Sequence, residues 1–345
     1  VVPDSGCGAW LFEPQSTNLI TQSELFSDSV WLKLGASVSN GFTSPDGTDN
    51  AYKIIEDTSN GTHRVAYTQL SFVNGDTYNF SCFAKKGERD FLHIRASSTA
   101  TFGINSYFDL ANGVVGTTTF GTASIQDYGN GWYRCSIVGI SSNTGGTAIS
   151  IYSAIADSSN FYQGDGTSGV YTYGAQSEQQ SYATSYIPTE GTVKTRNQDL
   201  CTNGGDVSLI NSSEGAMFLE AKSIFNDGVS KRISISDGTS SNRLVLSFGD
   251  NTLGYVNIVN GNVISNIPYT HDTTIMGKYA FTWKLNEFKF YYNGIKVAEN
   301  LSGAVWSSGT IDEINFTDSN ASSSPFFGST KALGVWKEAL TDAEL

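Results

Sequence analysis

Positive charge is scarce in this chain: 20 Lys and Arg stand against 33 Asp and Glu, a formal charge of −13 with a pI near 4.6. A phosphate backbone is met by clustered Lys and Arg, so no nucleic-acid partner is expected, and anionic lipid surfaces are disfavoured for the same reason. Long apolar runs are missing as well. No stretch approaches the roughly 18 residues that cross a bilayer as a helix, which argues against membrane insertion, and Val1 to Trp10 lacks the basic start and apolar centre of a signal peptide. The three histidines, His63, His93 and His271, are scattered without a ligand spacing. There is no HExxH pair, no GxSxG elbow and no phosphate-cradling glycine loop. None of the four cysteines has the close spacing of a zinc site.

What the chain has is Gly 36, Tyr 17 and Phe 20 in a background of Ser, Thr and Asn, with only 15% charged residues. That describes many short strands joined by turns, an all-β chain long enough for two domains. The runs WLKLGASVS, AYKIIED, HRVAYTQLSF, TYNFSCFAK, FLHIRAS, INSYFDL, WYRCSIVGI, AISIYSA and GVYTYGAQ alternate with period 2 between NG, DG and GG turns. They suit a two-sheet jelly roll. Glycines and small polar residues from Cys201 to Gly215 interrupt the pattern, after which MFLEAKSI, RISISDG, RLVLSFG, KYAFTWKL and EFKFYYNGIKVAE begin a second set. The expected fold is two consecutive β-sandwich domains, residues 1–200 and 201–345. Asn293–Gly294 is the strongest hairpin signal, since a type I′ turn needs positive φ at both central residues. Alternation places Cys82 with Tyr78 and Phe80, and Cys135 with Tyr133 and Ile137, so both read as core residues. Cys7 and Cys201, in glycine-rich segments at the two ends of the first module, leave a disulfide clasp between them open. Near the end, Thr341 followed by Glu344 can form a capping box that starts a helix.

The runs LFEPQSTNLITQSELFSDSVWLK, FAKKGERDFLHIR, GNGWYRCS and YQGDGTSGVYTYGAQSEQQSYATSYIPTEGTVKTRNQD, in that order, resemble a carbohydrate-binding-module-like jelly roll that recurs in phage tail-fibre and related surface proteins. EGAMFLEAKS, KRISISDGTSSNRLVLSFG, FKFYYNGIKVAE and the closing PFFGSTKALGVWKEALTDAEL resemble laminin-G-like, concanavalin A-like domains. The resemblance implies a portion of a virion fibre or spike, extracellular, that attaches to host cell-surface glycans. It implies other virion subunits as partners and a homo-oligomer, a trimer being common in fibres. Two rivals follow from the same modules: accessory binding domains of a secreted polysaccharide-degrading enzyme, or a structural virion decoration. The closing motif also implies a helix beyond Leu345, as though the chain were cut there.

Concanavalin-like folds include glycosidases, which need two carboxylates about 5 Å apart in the retaining class. Asp312 with Glu313 and Glu214 with Glu220 are adjacent or too far apart along the chain, and three acids at alternating strand positions do not occur. No catalysis is expected. Binding candidates are better motivated. In FLHIRAS, Leu92, Ile94 and Ala96 share one face and leave Phe91, His93 and Arg95 on the other, where an aromatic, an imidazole and a guanidinium can meet a sugar ring. The competing reading is a half-buried second face with its bases paired to Asp90 or Asp109. Tyr171 and Tyr173 share a face and serve either as sugar platforms or as core. Arg243, Tyr255 and Trp306 lie near loops of the second module, where laminin-G-like domains bind ligands; packing or solvated surface is the alternative. Calcium recurs in both fold types, and Asp165, Asp237 and Asp250 offer loop oxygens for it without forming a dense ligand loop. A neutral glycan fits the overall charge.

Overall fold

The computed structural model describes residues 8–98, 100–226, 228–249, 252–319 and 323–345. Among these, strands and turns make the whole fold, with no α-helix and hence no helix able to cross a membrane. The chain divides into two compact units: Gln15–Asn197, and the segment up to Pro14 joined with Gln198–Leu345.

The Gln15–Asn197 unit is a β-sandwich. One six-stranded sheet runs in the order Val114–Phe120, Asn105–Asp109, Phe91–Ala96, Ile149–Ala154, His63–Tyr67, Trp31–Leu34. The other runs Thr122–Asp127, Trp132–Ile140, Thr77–Lys86, Gly169–Glu178, Ala51–Glu56, Ala36–Phe42. Successive side chains of a strand point to opposite faces, so the apolar half of each alternating run meets its counterpart between the sheets. Trp31, Tyr67, Phe80, Phe102 and Phe108 are fully buried there, with Leu92, Ile94, Cys82 and Cys135 among them. Close approach of strands needs glycine at Gly169, where a Cβ would lie 1.8 Å from the Ile54 carbonyl oxygen. The second face of the Thr77–Lys86 sheet carries a smaller aromatic cluster of Phe83, Trp132 and Tyr173 with Phe42, Tyr171 and Tyr186 packed against it.

The other unit pairs a six-stranded sheet, Trp10–Phe12, Gly328–Trp336, Glu214–Ser223, Gly277–Lys284, Glu287–Tyr292, Ile295–Asn300, with a five-stranded one, Asn262–Thr270, Thr252–Val259, Arg243–Gly249, Lys231–Ser236, Glu313–Asn315. Trp283, Tyr255, Tyr279, Phe248 and Phe281 fill its core. The turn between Glu287–Tyr292 and Ile295–Asn300 has φ of 50° at Asn293 and 78° at Gly294, as a type I′ hairpin requires. Thr341 and Glu344 form only half of the expected capping box, in a turn rather than a helix: the Glu344 carboxylate accepts from the Thr341 amide at 2.8 Å, but it also takes the Thr341 hydroxyl at 2.7 Å, and the Glu344 amide donates to the Thr341 carbonyl at 3.0 Å instead. Asp342, beside them, accepts from Tyr291, Lys289 and Lys296 and fastens the closing turn to the sheet.

Residues 1–200 do not form one module. Trp10–Phe12 pairs antiparallel with Gly328–Trp336, and Phe12 stacks on Phe316 at 4.6 Å. The burial of that ring in the second core decides where the segment belongs, and a strand of three residues is too short to show periodicity. Cys7 lies outside the described residues, and with it the clasp to Cys201 that the sequence leaves open.

Candidate functional site

Inward-facing Leu92, Ile94 and Ala96 turn Phe91, His93 and Arg95 to the outer face of their sheet. Register then brings residues of neighbouring strands beside them. His93 lies opposite Tyr107 on one side and Tyr152 on the other, and Tyr152 lies opposite Arg64. The imidazole stacks on Tyr107 at 4.0 Å with 5° between planes, and on Tyr152 at 4.8 Å with 29°. The Arg64 guanidinium covers the far side of Tyr152 at 5.1 Å. Four planar groups from four strands thus form a row across the sheet, and the stripe of Phe91, His93 and Arg95 crosses it at His93.

The crossing point is closed. His93 is 2% exposed. Its Nδ1 accepts from the Asn160 amide at 2.9 Å, which leaves Nε2 to donate to Asn105 Oδ1 at 2.7 Å. Burial pushes its pKa down to about 4 against the help of the Asn105 bond, so the ring is neutral near pH 7. His93 is therefore not the open hydrogen-bonding tip expected from the sequence; it spaces and orients two tyrosines. Their rings are 8% and 6% exposed. Their hydroxyls have no hydrogen-bond partner among the described residues and are not enclosed. Phe91 is half-buried, and Phe161 stands exposed beside Asn160.

Arg95 is exposed, with Asn105 and Ser150 as its register partners. It has no ion pair with Asp90 or Asp109: Asp90 meets Lys86 at 3.4 Å, and Asp109 accepts from the amides of Ala111 and Asn112. Ser150 is 1% exposed, and its Oγ has no partner. Because Ile149 and Ile151 point into the core, Ser150 forms part of the floor between Arg95 and Ala66.

The remaining candidates are structural. Tyr173 is 4% exposed, its hydroxyl 2.9 Å from Glu24 Oε1 and 2.8 Å from Asp46 Oδ2. Tyr171 shares its face but packs edge-on against Phe42 at 4.9 Å. Arg243 is neutralised by Asp318 at 2.7 Å. Tyr255 is wholly buried against Phe281 and Phe290, and Trp306 is buried with Nε1 donating to the Ile258 carbonyl at 2.9 Å. Tyr173, Tyr255 and Trp306 present no ring face to a sugar, and Arg243 has no free fork of donors. For calcium, Asp165 is spent on Thr167 and Ser168 and Asp237 on Thr239 and Asn242, while Asp250 lies outside the described residues. Among the described residues no three His, Cys, Asp or Glu side chains gather as a metal site.

Tyr107, Tyr152, Arg64 and Ser150 were missed in the sequence although their parity was legible. In INSYFDL, AISIYSA and HRVAYTQLSF the core residues Phe108, Ile151 and Val65 assign the others to the outer face. What alternation within a strand does not give is which strands are neighbours.

No family model matches the chain, and no curated protein does. Among solved structures, parts of it are similar to the CBM40 module of Ruminococcus gnavus IT-sialidase bound to alpha2,3 sialyllactose (15% identity, 42% of this chain and 91% of that one, TM-score 0.35). A heptameric SAP-like pentraxin from Limulus polyphemus (15% identity, 41% and 71%, TM-score 0.31) and sheep galectin-11 in complex with glycerol (8% identity, 40% and 97%, TM-score 0.28) are similar to a like extent. A partial likeness of this order says nothing about what a site binds.

Proposed function

We propose that this chain is a non-enzymatic portion of a phage virion fibre or spike, displayed outside the cell, and that it binds host-surface glycans through the outer face of the Phe91–Ala96 sheet. The observation that carries the reading is the crossed array of Tyr107, His93, Tyr152, Arg64 and Arg95, held by cross-strand register on a rigid sheet. Saccharides are recognised by apolar surface for their C–H faces and by a few fixed polar groups for their hydroxyls. Phe91, Phe161 and the tyrosine edges supply the first, and Arg95 with the tyrosine hydroxyls supplies the second. The non-enzymatic part is supported by the acids nearest the array, since Asp109 is engaged by turn amides and Asp157 by the amide and hydroxyl of Thr117 rather than set facing each other across it. The sequence resemblance to fibre modules supports the virion setting. Repetition in a homo-oligomeric fibre would raise a weak single-site affinity through effective concentration.

The test is a glycan array probed with the intact chain and with Arg95→Ala. Losing one such contact costs on the order of 1 kcal/mol, so the variant should bind its best glycan several-fold more weakly with an unchanged thermal transition. Unchanged binding by the variant would remove this face as the site. Release of reducing ends from a bound polysaccharide would overturn the non-enzymatic assignment.

A further inference from the structure

We propose that the glycan taken by this face bears a carboxylate, as uronic and sialic acids do, and that Arg95 and Arg64 receive it; this rests on the reading of the face as a glycan site. The arginines of this acidic chain are mostly spoken for. Arg89 pairs with Glu56, Arg232 and Arg243 pair with Asp318, and Arg134 donates to the Thr184 carbonyl and the Ser81 hydroxyl. Arg95 and Arg64 have no carboxylate partner among the described residues. Arg64 engages only the Thr62 hydroxyl and the Tyr152 ring, and its Nε is buried without a partner. A guanidinium stays charged under all ordinary conditions and offers a planar fork that fits a carboxylate at two points. Two such groups without a counter-charge, on one sheet face of a chain carrying −13, call for an anion that the protein does not itself provide.

The array is also polarised. Along the Phe91–Ala96 strand, Phe91 lies next to Asp109, and the loop after Ala154 brings Asp157 to Thr117 on the outermost strand, beside Tyr107 at the end of the aromatic row. Arg95 lies at the opposite edge, among Asn105, Ser150 and Ala66, none of which is charged. The aromatic row separates the two edges. A sugar lying along it would direct its carboxylate to the exposed Arg95, where the Tyr107 and Tyr152 hydroxyls complete the polar contacts. The overall negative charge does not oppose this. Charges beyond about 8 Å are largely screened at physiological ionic strength, so the guanidiniums dominate locally.

Titration calorimetry of the intact chain with oligogalacturonate, its carboxyl-reduced neutral counterpart, a sialic acid oligomer and dextran sulfate separates the readings. At least one carboxylated probe should bind about tenfold or more tighter than the neutral oligomer, and added salt should erode that advantage. Which acid binds names the source. Arg95→Gln should abolish the preference, and Arg64→Lys should reduce it, with thermal unfolding confirming that both variants are folded. Equal or tighter binding of the neutral oligomer would overturn the proposal while leaving the face a glycan site. Dextran sulfate binding as tightly as the carboxylated probe would overturn the assignment to carboxylate, and binding of no saccharide at all would overturn the underlying reading too.

Discussion

The imidazole of His93 lies between two tyrosine rings, accepts from Asn160 and donates to Asn105, and its burial lowers its pKa to about 4. In an unfolded chain the same group titrates near 6.5. The unfolded state therefore binds the proton more readily, and the neutral ring's contribution is complete above pH 6.5 and is lost as pH falls towards 4. The difference amounts to on the order of 3 kcal/mol. The ring resonance that disappears in His93→Asn should titrate near 4 in the folded wild type. A midpoint near 6.5 would mean that water reaches the ring and that the row is open at its centre. The parity of Leu92, Ile94 and Ala96 already told which way His93 points, because alternation is a property of one strand. It did not tell that the ring is covered, because the covering groups come from three other segments of the chain.

Strand neighbours carry a similar lesson for the thiols. Alternation placed Cys82 and Cys135 on core faces, and both are fully buried. The antiparallel ladder of Thr77–Lys86 with Trp132–Ile140 sets them directly opposite each other, which no reading of either strand alone would reveal. Burial pushes Cys82 up to about 12 and Cys135 well above its ordinary value, so thiolate is rare at both. Native-state alkylation followed by peptide mass spectrometry should leave Cys82 and Cys135 unmodified for as long as the fold lasts, with both reacting once it is denatured. Prompt labelling of either would place that strand at the surface. Hairpins were easier to read than ladders: Asn293–Gly294 dictates its own turn from two residues.

At the scale of the whole chain, the boundary near residue 200 was visible as a break in alternation, whereas the one after Pro14 was not. Trp10–Phe12 shows its allegiance only through Phe12, which meets Phe316 at 4.6 Å and Phe326 at 6.2 Å. Phe12→Ala should lower the stability of the sandwich containing those rings by on the order of 2 kcal/mol. A fragment of residues 15–197 should melt cooperatively and keep whatever glycan binding the intact chain has. Calorimetry that finds the fragment unfolded, or the intact chain indifferent to Phe12→Ala, would contradict this division. The interleaving of the units also imposes an order in time. On the ribosome, Trp10–Phe12 emerges before any of its partners, while Gly328–Trp336, the strand it pairs with, emerges more than 300 residues later. At about 5–20 residues per second that interval is on the order of tens of seconds. Gln15–Asn197 is complete long before it ends, so one sandwich can close during synthesis while the other must wait, its Trp10–Phe12 strand held unpaired until Gly328–Trp336 is made.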